Sequence, residues 1–250
     1  MSHTFRSIGS RQNGKWVLDK EELRHMLVLR LTTNDIVELT DGCGNVSKVR
    51  ISSISSKSID LEEIEHKVIE KNSSSLILVV GLLKNTQDLL PLVVESGVDK
   101  IYIFQQQHNK KDLTDKNKER FLNIIRSSVK QCKRDFIPDL CFFPSLSECL
   151  ESINKDQKDS GTNYRKILLD ETSNSTLLNL DIDKNWDRKD NSIVVIVGSE
   201  LGFYNEEKTI LEGIELERFS LGKNILRSIT ACLCSCMIIK LKLYQLNIDN

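Results

Sequence analysis

The sequence predicts an α/β protein in two parts, a small β-rich region over residues 1–72 and a parallel-sheet domain over 73–250. Three observations predict it. Residues 36–65 alternate apolar and polar side chains around a tight turn, as half-buried antiparallel strands do. Beyond Ser75 the pattern changes to short, continuous apolar runs separated by amphipathic stretches, the mark of strands buried on both faces. The last such run ends in a glycine-bracketed turn, VGSELG at 197–202.

The elements follow in order. LRHMLVLRL (23–31) reads as a short helix with one apolar side. IVELT is a strand, and DGCGN (41–45) is a hairpin turn. VSKVRISSIS and KSIDLEEIE are the half-buried strands that follow it, with a boundary near 71–75. SLILVVGLL (75–83) is the first buried strand, and QDLLPLVVESGV (87–98) is a helix closed by Gly97. KIYIF is the next strand. TDKNKERFLNIIRSSVKQC is an amphipathic helix with Phe121, Ile125, Val129 and Cys132 on one side and Thr114 or Asp115 as its cap. Residues 154–163 read as a solvated loop, KILLDE and SIVVIVG as further buried strands, and 224–244 as a last helix that is apolar nearly all round.

Composition bounds the function. Thirty-five basic and 36 acidic residues give a net charge of −1, so any nucleic-acid partner must meet a local basic surface. The apolar run 229–239, flanked by Arg227 and Lys240, is about half of what a membrane span needs. MSHTFRSIGS lacks the apolar core of a signal peptide, so the expected location is the cytoplasm. Cys232, Cys234 and Cys236 are spaced by two, which turns each about 200° from the last on a helix. They cannot converge on one ion; no metal site is expected, and the cysteines read as core residues.

Glycines at a strand end allow unusual backbone angles and close ligand approach, and strand ends are where open α/β sheets bind ligands. VGSELG followed by SLGKNILRSITA (220–231) resembles the pattern GPEGG … LGxRILRxETA of the 16S ribosomal RNA uridine-N3 methyltransferases, SPOUT-class enzymes. HMLVLR (25–30) with its following DG turn resembles the family's N-terminal motif, and ESGV (95–98) resembles its ELGV. QCKRDFIP (131–138) resembles its EQ-S-x-R-x-x-x-P segment, with Gln131, Arg134 and Pro138 kept.

The resemblance implies a PUA-like β-barrel that helps hold RNA, then a SPOUT domain with a C-terminal trefoil knot, working as a homodimer on 16S rRNA or the assembled small subunit. It implies S-adenosyl-L-methionine as cofactor, held by Val197, Gly198, Ser199, Glu200, Gly202, Leu221, Gly222, Asn224, Ile225 and Leu226. The glycines would admit the backbone, and Leu221, Ile225 and Leu226 would form apolar walls. Arg227 would stabilise charge on the uracil oxygens, and Glu200 would orient loop or substrate. Arg134, Lys130, Arg30 and Lys84 are the expected RNA contacts, with Arg6, Arg11, Lys15, Arg24 and Lys133 as further basic candidates.

The chain also departs from the pattern. Ser199 stands for a Pro, Leu201 for a Gly, Asn224 for an Arg and Ile229 for a Glu. Lys130 stands for a Glu, Gln107 and His108 for a Glu and an Arg, and Leu92 for a Lys. These changes keep the backbone features and thin out the charges. They fit a divergent enzyme; alternatives are an RNA-binding or ribosome-assembly protein with weakened catalysis, and a SPOUT enzyme for another RNA position.

Overall fold

The computed structural model of the chain describes residues 5–71, 75–106, 114–182 and 191–248. It divides into two compact units, Met1–Lys71 with Arg126–Ile137, and Asn72–Ile125 with Pro138–Asn250.

The first unit contains β1 (Arg6–Ile8), β2 (Ser10–Gln12), β3 (Lys15–Val17), α1 (Lys20–Val28), β4 (Ile36–Thr40), β5 (Asn45–Ile54) and β6 (Ile59–Val68). Its main sheet runs β1-β4-β5-β6, with β1 parallel to β4 and the rest antiparallel; β2 and β3 form a separate hairpin. The DGCGN turn forms where expected. Asp41 accepts from the amides of Cys43 and Asn45, and Gly42 and Gly44 take φ of 71° and 104°. Asp19 caps α1 by accepting from the Glu22 amide at 2.8 Å, so the helix starts three residues before the apolar pattern does. Met26, Val37, Leu39, Val49 and Ile51 form the core. Residues 126–137 dock onto the turn: the Gly44 amide donates to the Asp135 carbonyl and the Ile137 amide to the Gly42 carbonyl.

The second unit is a six-stranded sheet, parallel throughout, with helices around it. In chain order it holds β7 (Leu76–Gly81), α2 (Thr86–Glu95), β8 (Lys100–Phe104), α3 (Asp115–Cys132, from Arg126 grouped with the first unit), β9 (Asp139–Phe143) and α4 (Leu146–Ser160). Then come β10 (Asn163–Leu169), a 3-10 turn (Leu177–Asn179), β11 (Asn191–Val197), α5 (Asn205–Glu212), β12 (Glu217–Phe219) and α6 (Ser228–Ile248). The strand order is β12-β10-β11-β7-β8-β9, and every residue of β7 is buried, as its unbroken apolar run requires. One face packs Ile77, Val79, Tyr102 and Phe104 against Leu146, Leu150 and Ile153 of α4. On α6, Cys232, Cys236 and Ile239 are fully buried. Burial pushes the Cys232 and Cys236 thiols up, the latter to about 12, which keeps them neutral. Among the described residues no cluster of His, Cys, Asp or Glu could hold a metal ion, and no helix is long and apolar enough to cross a membrane.

Two expectations are corrected. The polar stretch 154–163 is not a loop, because α4 runs through it to Ser160 and stops at Gly161, φ 70°. Ser145 caps that helix by accepting from the Glu148 amide, and Leu146, Cys149, Leu150 and Ile153 commit one face to the core. The helix then continues with polar residues, and Asp156 is bonded to Lys100 (2.6 Å) and to the Tyr164 hydroxyl (2.7 Å). The last helix starts at Ser228, not at 224, so Asn224 to Arg227 lie in the loop before it.

Ile153→Ala should cost about 2–5 kcal/mol of stability, the usual range for truncating a fully buried Ile that cannot be refilled. Urea unfolding followed by circular dichroism measures it, and an unchanged midpoint would mean that α4 is not docked on the core.

Candidate functional site

At the C-terminal ends of β10, β11 and β12 the chain encloses a cavity of about 860 Å³, within the range of small-molecule sites. Three segments line it: 168–172 after β10, 197–203 after β11, and 218–231 through the loop into α6. Asn85, Lys208, Leu211 and Glu212 add to the wall. All belong to the second unit.

The glycine turn is shaped by close backbone contact. A Cβ on Gly198 would lie 2.9 Å from the Gly202 backbone, and one on Gly81 would lie 2.9 Å from the Ser199 nitrogen. Gly202 and Gly222 adopt φ of 72° and 121°, angles that side-chain-bearing residues rarely take, and a Cβ on either would meet nothing within 4 Å. The cost of a larger residue at Gly222 is therefore backbone strain and intrusion into open space.

Polar tethers hold the turn. The Gln106 amide Nε2, 2% exposed as a residue, donates to the Gly202 carbonyl (2.9 Å) and to the Glu207 carboxylate (2.8 Å), which in turn caps α5 by accepting from the Tyr204 amide. The Gln106 Oε1 is buried without a partner among the described residues. Ser228, the first residue of α6, donates its hydroxyl to the Ser199 carbonyl at 2.7 Å. The Glu200 carboxylate accepts from the Lys84 amide at 2.7 Å, tying the loop after β7 to the loop after β11.

All ten expected cofactor contacts, Val197, Gly198, Ser199, Glu200, Gly202, Leu221, Gly222, Asn224, Ile225 and Leu226, line the cavity, and so does Arg227. Ile225 is 83% exposed and forms rim rather than inner wall. Leu201, in place of the pattern's glycine, is 78% exposed beside it. The sequence reading missed Gln106 and the charged groups Asp170, Glu171, Lys208, Glu212 and Arg218. For Asp170 and Glu171 a signal existed: they end KILLDE, and strand ends bind ligands. For Gln106 there was none, since its partners are about a hundred residues away. Burial alone would raise the Asp170 carboxyl. Bonds from the Thr172 hydroxyl (2.6 Å), the Thr172 amide (2.9 Å) and Arg218 (3.1 Å) outweigh it and hold it below the usual carboxylate range.

The expected RNA contacts are dispersed. Lys84 is exposed but lines no part of the cavity; its amide, not its ammonium, serves the site. Lys130 is ion-paired with Glu22, whose other oxygen accepts from Ser7, and both side chains of the pair are largely buried. Arg6 is nine-tenths buried, paired with Glu38 and Asp135, and donates to the Arg134 carbonyl. Arg11 is held by Glu63 and lies over the Trp16 ring. Arg24 and Arg30 are exposed, with no bond partner among the described residues. Gln107 and His108 lie outside the described residues.

A parallel sheet with a glycine-turn cavity across three strand ends is now joined by sequence. The profile described as RNA methyltransferase domain matches residues 70–240, and one described as RNA methyltransferase PUA domain matches 18–64. The chain belongs to the RNA methyltransferase family. It is 27% identical over 221 residues to Ribosomal RNA small subunit methyltransferase E of Buchnera aphidicola, covering 84% of this chain and 82% of that one. A like-named protein of Mesomycoplasma hyopneumoniae is 25% identical over 229 residues, covering 90% of this chain and 94% of that one. Among solved structures, a protein described as a predicted RNA methyltransferase from Thermotoga maritima is 26% identical, with a TM-score of 0.73 and coverage of 96% and 99%. Ribosomal RNA small subunit methyltransferase E of Neisseria gonorrhoeae, solved with S-adenosyl methionine, shares the fold at 21% identity, with a TM-score of 0.77 and coverage of 96% and 98%.

Proposed function

We propose that this RNA methyltransferase transfers a methyl group from S-adenosyl-L-methionine to N3 of a uridine in small-subunit (16S) ribosomal RNA. The cavity after β10, β11 and β12 carries the reading, and the names of the relatives from Buchnera and Mesomycoplasma support the ribosomal substrate. The site suits the cofactor in kind. Its volume takes a molecule of that size, its glycines at 202 and 222 leave room beside the backbone, and Leu168, Leu221, Leu226 and Phe203 offer apolar surface to a purine. When bound, the cofactor supplies an electrophilic methyl on a sulfonium.

The chain's own work is to hold, orient and neutralise. The uridine N3 proton must leave before the nitrogen can attack, so negative charge develops on the uracil oxygens. Arg227, exposed on the cavity wall just before α6, is the cation placed to meet it. Glu200 positions the turn through the Lys84 amide, which makes it a positioning residue. The base must leave its stack to reach such a site. In the first unit, Arg24 and Arg30, exposed and with no bond partner among the described residues, are available to grip phosphate. A trefoil knot accords with the pinning of Ser220 between Ser175 and Leu177 by backbone hydrogen bonds just ahead of the final loop. A homodimer accords with the outward side of α6, where Met237, Leu241 and Tyr244 recur at helical spacing and remain exposed.

Isothermal titration calorimetry should show S-adenosyl-L-methionine binding to the parent. Gly222→Val should bind at least tenfold more weakly, about 1.4 kcal/mol; binding unchanged in the folded variant would place the pocket elsewhere. Light scattering should give a dimer that Leu241→Glu shifts toward monomer, whereas a monomeric parent would end that proposal. RNA affinity should fall as salt rises, with a slope of nearly one log unit per phosphate contact. Arg30→Gln should flatten that slope by about one and leave cofactor affinity alone. An unchanged slope would remove α1 and its flank from the RNA face.

A further inference from the structure

We infer that Asp170 and Arg218 form a subsite for the charged amino-acid end of the cofactor, an inference that rests on reading the cavity as the S-adenosyl-L-methionine pocket. Asp170 follows the last residue of β10, and Arg218 is the middle residue of β12, paired in register with Leu168. The two side chains meet at the sheet's edge, with Arg218 Nη1 donating to Asp170 Oδ2 at 3.1 Å. Both line the cavity. Among the described lining residues they are the one pair of opposite charges in contact.

The chemistry of the pair matches one part of the ligand. The amino-acid end of S-adenosyl-L-methionine carries an ammonium and a carboxylate on a single carbon. An adjacent carboxylate and guanidinium present the complementary charges at similar spacing. Their bonding capacity is not spent. A carboxylate has about four lone-pair sites. The Thr172 amide, the Thr172 hydroxyl and Arg218 take three, which leaves one for an ammonium. A guanidinium has about five N–H donors in a fork suited to carboxylates. Arg218 uses one on Asp170 and no other among the described residues. Thr172 fixes the carboxylate from behind, so the pair is preorganised.

A purely structural role fits less well. The β10–β12 edge is already clamped further along by Arg165, which grips both oxygens of Glu217. The side chains of Arg218 and Asp170 remain 40% and 20% exposed, open toward the cavity they line.

Calorimetry on the full chain with three probes separates the possibilities. The probes are S-adenosyl-L-methionine, S-adenosyl-L-homocysteine and 5′-methylthioadenosine, which keeps adenine, ribose and sulfur but lacks the amino-acid end. Asp170→Asn and Arg218→Met should each weaken the first two at least tenfold and leave methylthioadenosine within about twofold of the parent. Arg218→Lys keeps the charge and loses the fork; it provides a milder variant should Arg218→Met not fold, and should weaken the same two probes selectively. If methylthioadenosine weakens in step with the others, the pair serves the nucleoside or the fold, and the inference is wrong. Unchanged affinity for all three probes also overturns it. A parent that binds none of the probes would instead bring down the cofactor reading itself, and this inference with it.

Discussion

The site depends on two stretches of backbone that touch. Gly198 and Gly202 approach so closely that a single methyl group on Gly198 would collide with the backbone of Gly202. The same turn presses Ser199 against Gly81 at the end of β7. Main chain can pack against main chain at such distances only where both side chains are absent or directed away. The result is a turn that consumes almost no volume at the end of β11. That economy leaves the space between the ends of β10, β11 and β12 open, and a cavity of some 860 Å³ exists because of it.

Within the turn the Gly202 amide donates to the Ser199 carbonyl at 3.0 Å, and further donors on the turn's carbonyls link distant parts of the second unit. The Gly202 carbonyl is met by Gln106 from the end of β8, and the Ser199 carbonyl by Ser228 from the start of α6. Position is therefore set across the unit: the start of α6 cannot drift without breaking the bond from the Ser228 hydroxyl to the Ser199 carbonyl, and Arg227 is the residue immediately before it. The Lys84 amide on Glu200 adds a third link at the solvent side. The Asn224, Ile225 and Arg227 side chains, by contrast, are exposed and sit in an irregular loop. A turn held by three links thus faces a wall of exposed side chains on irregular backbone.

What the sequence made legible follows from locality. Strands buried on both faces announce themselves, as in SLILVVGLL, because every position must be apolar. The hairpin turn at 41–45 is legible because its geometry requires glycine and Asp at fixed offsets. The glycine turn was legible for the same reason. The far end of α4 was not, because seven polar residues carry the same composition as a solvated loop; the committed apolar face lies upstream of them. Gln106 and Arg218 were missed because each matters through a partner at least 48 residues away, and Asp170 showed only its place at a strand end, not its partner. A sheet edge that brings β10 beside β12 is a tertiary fact, and no window of sequence contains it.

Charge shows the same division between local and tertiary information. The sequence offers a set of basic candidates for an RNA face on the first unit, Arg6, Arg11, Lys15, Arg24, Arg30 and Lys130 among them. Folding spends much of it. Arg6 is buried between Glu38 and Asp135, Lys130 is closed onto Glu22, and Arg11 locks the β2–β3 hairpin to Glu63. Breaking a buried pair such as Arg6–Glu38 or Lys130–Glu22 strands a charge, at a cost of about 3–5 kcal/mol, whereas a cation on open surface costs little to redirect. The arginines fixed by carboxylates therefore belong to the architecture of the unit. Among the described residues, Arg24 on α1 and Arg30 just beyond it stay exposed with no bond partner, as do Lys15 and Lys133. With a net charge of −1, the chain has little long-range attraction for a polyanion, so any such contact must rest on cations that the fold leaves locally available.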